Sequence, residues 1–110
     1  MNGLPLSASL EEAKEHVELG KCVERLRSNP DWIKLIENLY LKEEAIRLVH
    51  AIGDQSLSEK TLAHLLEDMK AISNFRGFIE TTLLYARSAE EGIAQYLEEE
   101  NEVEGEIYEH

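Results

Sequence analysis

The chain contains 110 residues, of which 43% are hydrophobic, and it carries a formal net charge of −12 at pH 7. This length fits a single domain, and the apolar content is sufficient for a core, which argues against a fully disordered chain. The acidic balance argues against direct binding to nucleic-acid phosphates or anionic lipid. The single cysteine excludes an intramolecular disulfide, and the apolar runs are too short for a transmembrane helix. These properties predict an acidic protein of the cytoplasm with no membrane segment.

Apolar residues recur at helical spacing and strand signals are nearly absent, which predicts an all-α fold. The first helix is expected over residues 10–28, with Ser9 as its N-cap and Glu12 completing a capping box. The second helix is expected over residues 30–52, because Asn29 stands before a proline at the first helical position.

The second helix carries two apolar sets on neighbouring faces. Two such faces predict burial on both sides, by another helix or by another subunit. The first set contains Trp32, Ile36, Leu39, Ile46 and Val49. The second set contains Ile33, Tyr40, Leu41, Ala45, Leu48 and Ile52.

A third helix is expected over residues 57–97, opened by Ser56 or Ser58. Unbroken, it would be about 60 Å long, whereas a compact domain of this length is about 34 Å across. Either the helix breaks at residues 73–74 or at Gly77, or it projects and buries its apolar stripe against another chain. We expect projection and self-association, and Gly77 would also permit the close approach of a second helix. The stripe residues expected to self-associate are Leu62, Leu66, Met69, Phe75, Ile79, Leu83 and Ile93.

The acidity is concentrated at the C-terminus, where residues 88–110 hold nine acids and no lysine or arginine. The other 14 acids and the 11 basic residues leave the rest of the chain at −3. Because like charges repel, residues 98–110 are expected to form a flexible acidic tail beyond a helical domain of residues 1–97. The tail is either a frayed, solubilising end or a segment that docks on a basic protein surface. Its candidate contact residues are Val103, Ile107 and Tyr108.

The residue patterns that catalysis and metal binding require are missing from the sequence. None of His16, His50, His64 and His110 follows a glutamate by three residues, as the ligands of helical di-iron sites do. Cys22 has no accompanying catalytic motif, and all six glycines are isolated, so no phosphate-binding loop is recognised. We therefore predict no metal, no cofactor and no enzymatic activity.

Two pairs of residues in the third helix are candidate contact residues. Phe75 and Phe78 are three residues apart, as a core or interface pair would be. Arg76 and Arg87 are eleven residues apart and project from similar faces, where surface salt bridges are the expected role.

Three short phrases carry a resemblance to known proteins: Asn29-Pro30-Asp31-Trp32, the YLKEEA segment of residues 40–45, and Ala71-Ile72-Ser73. Through them, residues 26–94 resemble a family of small, acidic, all-helical tailed-phage proteins. The shared residues are of the packing and capping kind, so no catalytic or binding site carries over. The resemblance implies a phage-encoded protein made in the bacterial cytoplasm.

These patterns together predict an all-α fold of two antiparallel helices and a long third helix, in a helical bundle completed by homo-oligomerisation. The expected function is that of a non-enzymatic protein-interaction protein. It would act in particle assembly or as an accessory factor, through helix faces and the acidic tail. The alternative is an inhibitor of a host defence or nucleic-acid enzyme, acting by steric occlusion or by acidic mimicry of DNA.

Overall fold

The computed structural model describes the backbone of residues 6–108 and the side chains of residues 10–102. This part of the chain is helical except for two short connections, and it contains no strand. The all-α prediction is therefore confirmed for the described part of the chain. The elements, in order, are α1 (Leu6–Arg27), α2 (Pro30–Trp32), a π-helical segment (Ile33–Glu44), α3 (Ala45–Ile52) and α4 (Glu59–Tyr108).

The first helix begins earlier than predicted. α1 starts at Leu6, so Ser9 lies inside the helix and the prediction that it is the N-cap is wrong. The three residues before Ser9 include no glycine or proline, and nothing in them opposes helix formation strongly enough to delay its start.

α2, the π-helical segment and α3 follow one another without interruption and together form the second helix. Its N-cap is Asn29, as predicted. The side-chain Oδ1 of Asn29 accepts hydrogen bonds from the backbone N–H of Asp31 at 2.9 Å and of Trp32 at 3.4 Å. Pro30 occupies the first helical position, where its missing N–H leaves no donor unpaired.

Ser56 and Ser58, the two serines predicted as possible N-caps of the third helix, both lie in the connection before α4, and their hydrogen bonds differ. Ser58 is the cap, because its Oγ accepts a hydrogen bond from the backbone N–H of Thr61 at 3.1 Å. Ser56 instead belongs to the turn before it. Its N–H and its hydroxyl both donate to Oδ1 of Asp54, at 2.9 Å and 2.7 Å.

α4 is one continuous helix, so the break considered at residues 73–74 or at Gly77 does not occur. Glycine costs about 1 kcal/mol in a helix interior, which a long helix tolerates. A Cβ placed on Gly77 would meet no atom within 4 Å outside the local backbone, so no second helix approaches there in the described structure. α4 also continues to Tyr108, and residues 98–108 extend the helix where the tail was expected to begin.

The chain divides into two compact units. Unit 1 comprises Met1–Val23 and Thr82–His110, and unit 2 comprises Glu24–Thr81. α1 and α4 each contribute residues to both units, whereas the second helix lies wholly within unit 2.

Unit 1 is held by close packing of α1 on α4. Gly20, Val23, Ala86 and Ala89 are buried, and Gly20 lies directly against Ala86. Small residues of this kind allow two helix backbones to approach closely. Beside them, the rings of His16 and Tyr85 lie 5.4 Å apart between centroids.

Unit 2 has its core where the second helix packs on α4. The ring of Phe75 lies 6.1 Å from that of Trp32 and 6.0 Å from that of Tyr40, the second pair in an edge-to-face arrangement. Aromatic quadrupoles favour such edge contacts over face-to-face stacking. The buried aliphatic residues of this core are Leu48, Ile72 and Ile79.

Candidate interaction surface

The second helix exposes four large aliphatic side chains. Leu35, Leu39, Ile46 and Val49 keep 58%, 49%, 50% and 56% of their surface accessible. We call these four residues the apolar face. Single exposed aliphatic residues are ordinary on protein surfaces, but several on one side of one helix are typical of an interaction site.

Ile46 and Val49 of the apolar face lie in α3, and Leu35 and Leu39 lie in the π-helical segment. Covered and exposed positions alternate there in pairs: residues 36–37, 40–41 and 44–45 are half-buried, whereas 34–35, 38–39 and 42–43 are exposed. This repeat of four would drift around an α-helix, which has 3.6 residues per turn. A π-helix closes its hydrogen bonds at i→i+5, so its turn is wider than that of an α-helix.

Within the chain, the first predicted apolar set of the second helix is unequally covered. The first set was expected on one face, but Trp32 and Ile36 are half-buried whereas Leu39, Ile46 and Val49 are exposed. The expectation assumed α-helical spacing throughout. Leu35 belonged to neither set, and its position four residues before Leu39 is the only sequence signal for it.

A side chain from α4 supports the π-helical segment. The guanidinium of Arg76 donates a hydrogen bond to the backbone carbonyl of Leu41 at 2.7 Å. Arg76 was expected to form a surface salt bridge, and it instead binds the backbone of the neighbouring helix. Tyr40, the residue before Leu41, also contacts the ring of Phe75. Phe75 and Arg76, which are consecutive on α4, therefore both contact this part of the segment.

The charged residues near the apolar face are of both signs. Lys34, Lys42 and Arg47 are exposed there, with Glu43 beside them. Arg47 forms an ion pair with Glu44, in which its Nε donates to the carboxylate at 3.0 Å. Hydrogen bonding from Arg47 lowers the pKa of Glu44 below its usual value. Between residues 34 and 47 the second helix holds three cations and three carboxylates, so these charges cancel in a chain whose total is −12.

Unit 2 also contains a cleft of about 400 Å³. Nε of Arg27 lies 3.7 Å from the carboxylate of Glu37 there, and Arg76 is engaged by the carbonyl of Leu41. Two arginines and two glutamates balance in the lining, so the cleft presents no charge of one sign to a ligand. The lining residues are Arg27, Trp32, Glu37, Leu41, Arg76, Ile79 and Glu80.

The stripe of α4 predicted to self-associate is largely covered within the chain. Phe75 packs on Trp32 and Tyr40, and Ile79 is buried. Leu66 alone among the seven is exposed, at 43%. The half-buried members are Leu62, Met69, Phe75, Leu83 and Ile93. The structure thus places more exposed apolar surface on the second helix than on this stripe.

The predicted tail contacts Val103, Ile107 and Tyr108 belong to α4 by their backbone, and their side chains lie outside the described residues. Just before them, the hydroxyl of Tyr96 donates to the carboxylate of Glu100 at 3.2 Å, one helical turn later. The negative charge of Glu100 raises the pKa of the Tyr96 phenol above its usual value.

Within the described part of the chain, no three His, Cys, Asp or Glu side chains are grouped so that they would hold a metal ion. Cys22 is half-buried and forms no disulfide. No described helix is both long and apolar enough to cross a membrane. Comparison with protein-family models, with curated proteins and with solved structures gives no match.

Proposed function

We propose that this chain is a non-enzymatic protein-interaction protein whose binding surface is the apolar face. The observation that carries the proposal is the exposure of Leu35, Leu39, Ile46 and Val49 along the second helix. Protein interfaces combine an apolar centre with a polar rim. The exposed residues of the second helix have this composition, because Lys34, Lys42, Glu43 and Arg47 are exposed together with the four aliphatic side chains.

The mode of recognition that fits this surface is the docking of an amphipathic segment along a helix. Leu35 and Leu39 lie one turn apart, and Ile46 and Val49 follow, so the contacts repeat along the helix axis. An amphipathic helix offers anchors with a matching repeat. The homo-oligomer proposed from the sequence then forms through the second helix rather than through the stripe of α4.

The resemblance to tailed-phage proteins supports a role in particle assembly or as an accessory factor in the bacterial cytoplasm. It does not select between these two roles. Both require contact with another protein, and the apolar face is the part of the described surface that best supports such a contact.

A photocrosslinker tests the binding surface directly. p-Benzoylphenylalanine in place of Leu39 is expected to form crosslinks to protein when the purified chain and host extract are irradiated, separately and together. The same group in place of Lys70, which is exposed on α4 of unit 2, is the matched control. Crosslinks that are equal at both positions, or absent at position 39, would overturn the proposal.

One observation favours the second candidate, an acidic inhibitor of a host defence or nucleic-acid enzyme. α4 continues to Tyr108, so the acids of residues 98–108 are carried on a helix. Mimicry of DNA requires carboxylates on a folded scaffold. An inhibitor of this kind would lose binding to its target enzyme when residues 98–110 are deleted, and its binding would weaken steeply with salt. Binding through the apolar face alone would change little in either experiment.

A further inference from the structure

We infer that the second helix pairs with the second helix of another copy of this chain, in the antiparallel direction, with Lys42 of each copy against Glu43 of the other. The inference rests on the proposed function and names the partner of the apolar face. Two properties of the exposed residues carry it: their order along the helix and the charges at the centre of that order.

The exposed residues of the second helix are arranged nearly symmetrically about Lys42 and Glu43. Leu39 lies three positions before Lys42, and Ile46 lies three positions after Glu43. The outer two residues of the apolar face lie seven positions before Lys42 and six positions after Glu43. All six side chains are exposed, so α4 covers none of them.

An antiparallel pair of such helices brings the two halves of this order together. Leu39 of one copy then lies opposite Ile46 of the other, and Lys42 lies opposite Glu43. Every contact forms twice about a two-fold axis, as in an isologous dimer. A parallel pair would instead place Lys42 beside Lys42 and Glu43 beside Glu43, and repulsion between like charges disfavours that arrangement.

The two central charges are available for this contact. Neither Lys42 nor Glu43 forms an ion pair or a side-chain hydrogen bond with a described residue. Arg47 differs from them, because it is paired with Glu44 and also interacts with the negative charge of Asp68 on α4. The charge of Arg47 is therefore balanced within its own chain, and the contact between copies depends on Lys42 and Glu43.

The local balance of charge favours a second copy as the partner. Positions 34 to 47 hold equal numbers of cations and carboxylates, whereas the whole chain carries −12. Two acidic chains repel each other, but at a locally neutral surface this repulsion acts from a distance, and salt screens it over about 10 Å at 0.1 M. A strongly charged partner gains nothing at a neutral surface, whereas a second copy presents the same mixed charges in reverse order.

Exchange of the two central charges tests the inference. Lys42→Glu and Glu43→Lys are each expected to weaken self-association about tenfold, because each places like charges together at two symmetry-related contacts. Glu43→Lys is expected to do so even though it makes the chain less acidic. An equal mixture of the two variants is expected to recover the wild-type affinity to within about threefold, because opposite charges then face each other again. Sedimentation velocity measures each affinity.

The matched controls are Lys70→Glu and Glu67→Lys, which make the same changes of net charge at exposed positions of α4. Each is expected to leave self-association within about twofold of the wild-type value. Circular dichroism of all four variants is expected to match that of the wild-type chain, because all four positions are exposed. Equal effects of Lys42→Glu and Lys70→Glu would overturn the inference.

Cysteine crosslinking tests the direction of the pair independently of charge. In chains that also carry Cys22→Ser, a mixture of Leu39→Cys and Ile46→Cys is expected to form a disulfide-linked heterodimer on mild oxidation. Leu39→Cys alone is expected to remain uncrosslinked. Its two copies would lie seven residues apart along the pair, about 10 Å, which is beyond the reach of a disulfide. Efficient crosslinking of Leu39→Cys alone would indicate a parallel pair and overturn the inference.

The outcomes separate this inference from the proposed function. A wild-type chain that stays monomeric overturns the inference, and photocrosslinks from position 39 to a different protein would then leave the proposed function standing. Self-association that the charge exchange does not alter indicates a contact elsewhere on the chain and also overturns the inference. The absence of any photocrosslink from position 39 overturns both.

Discussion

Gly20 on α1 lies against Ala86 on α4 so closely that a Cβ on Gly20 would overlap with the Cβ of Ala86. Ala86 is 6% exposed, so neither residue has solvent to move into. Overpacking of this kind costs about 1–3 kcal/mol. We therefore expect Gly20→Ala to lower the free energy of unfolding by about that amount, even though alanine favours helix formation. Urea denaturation followed by circular dichroism measures the change.

The double variant Gly20→Ala with Ala86→Gly is the control for this contact. It moves the methyl group from one helix to the other and keeps the number of glycines and alanines constant. We expect its stability to return to near the wild-type value. Additive losses from the two substitutions would show that the overlap is not the cause.

For two glycines of α4 we expect the opposite result, namely that substitution by alanine stabilises the protein. A Cβ on Gly77 or on Gly92 meets no atom within 4 Å outside the local backbone. Alanine lowers the conformational entropy of the unfolded chain and favours the helix, so each glycine-to-alanine substitution is expected to stabilise the protein by about 0.5–1 kcal/mol. Thermal denaturation of both variants beside Gly20→Ala checks the sign. Destabilisation by Gly77→Ala would point to a contact at this position.

Loss of the cap of the second helix is expected to cost about 1 kcal/mol. Asn29→Ala removes the oxygen that accepts from the N–H groups of Asp31 and Trp32. Ser28→Ala is the control, since the Ser28 hydroxyl donates to the carbonyl of Glu24 and caps no helix start. Equal effects of the two substitutions in urea denaturation would contradict the role given to Asn29.

Arg76→Met is expected to destabilise unit 2 by about 1 kcal/mol, because it removes the hydrogen bond to the carbonyl of Leu41 and keeps most of the aliphatic side chain. Amide hydrogen exchange within Ile33–Glu44 should become faster. Arg87→Met is the matched control: Arg87 is also exposed on α4 and makes no hydrogen bond or ion pair to a described residue. Unchanged exchange in Arg76→Met would show that the π-helical segment does not depend on this contact.

The hydrogen bonds at Asp54 lead to a prediction about how the stability of the protein depends on pH. Hydrogen bonds from the N–H of Ser56, and then from its hydroxyl, hold the pKa of the Asp54 carboxyl below its usual value of 3.8. A lowered folded-state pKa contributes stability above the unfolded value, and that stability is lost as the pH falls through the folded value. An NMR titration is expected to show the lowered pKa in the wild-type chain.

Ser56→Ala separates the two causes of this shift. It removes the hydroxyl and keeps the N–H, so the pKa of Asp54 is expected to rise only part of the way to 3.8. Ser73→Ala, an exposed serine on α4, is expected to leave it unchanged. A full return to the ordinary value in Ser56→Ala would show that the hydroxyl is the main cause.

Sequence reasoning was accurate where a feature depends on a few neighbouring residues. The Asn29 cap follows from its place before Pro30, and Ser58 was one of two candidates for the start of α4. It was inaccurate for Ser9, because α1 starts at Leu6. An N-cap signal marks where a helix can begin, and it does not prevent an earlier start when the preceding residues also favour a helix.

The candidate surface was only partly predictable. Leu39, Ile46 and Val49 were recognised as apolar, but they were grouped with Trp32, which is covered by Phe75. Grouping residues by face assumes a helical repeat, and the π-helical segment changes that repeat between Ile33 and Glu44. The segment is contacted by Phe75 and Arg76 of α4, a helix that begins well after the segment ends.

Residue types and their spacing were enough to establish an acidic, all-helical chain and the start of its second helix, because helix propensity and capping act between near neighbours in the chain. Packing between helices decided the closeness of Gly20 to Ala86 and which apolar residues of the second helix stay exposed. These features depend on contacts between residues that are distant in the chain. A local sequence pattern does not contain the free energy of such contacts.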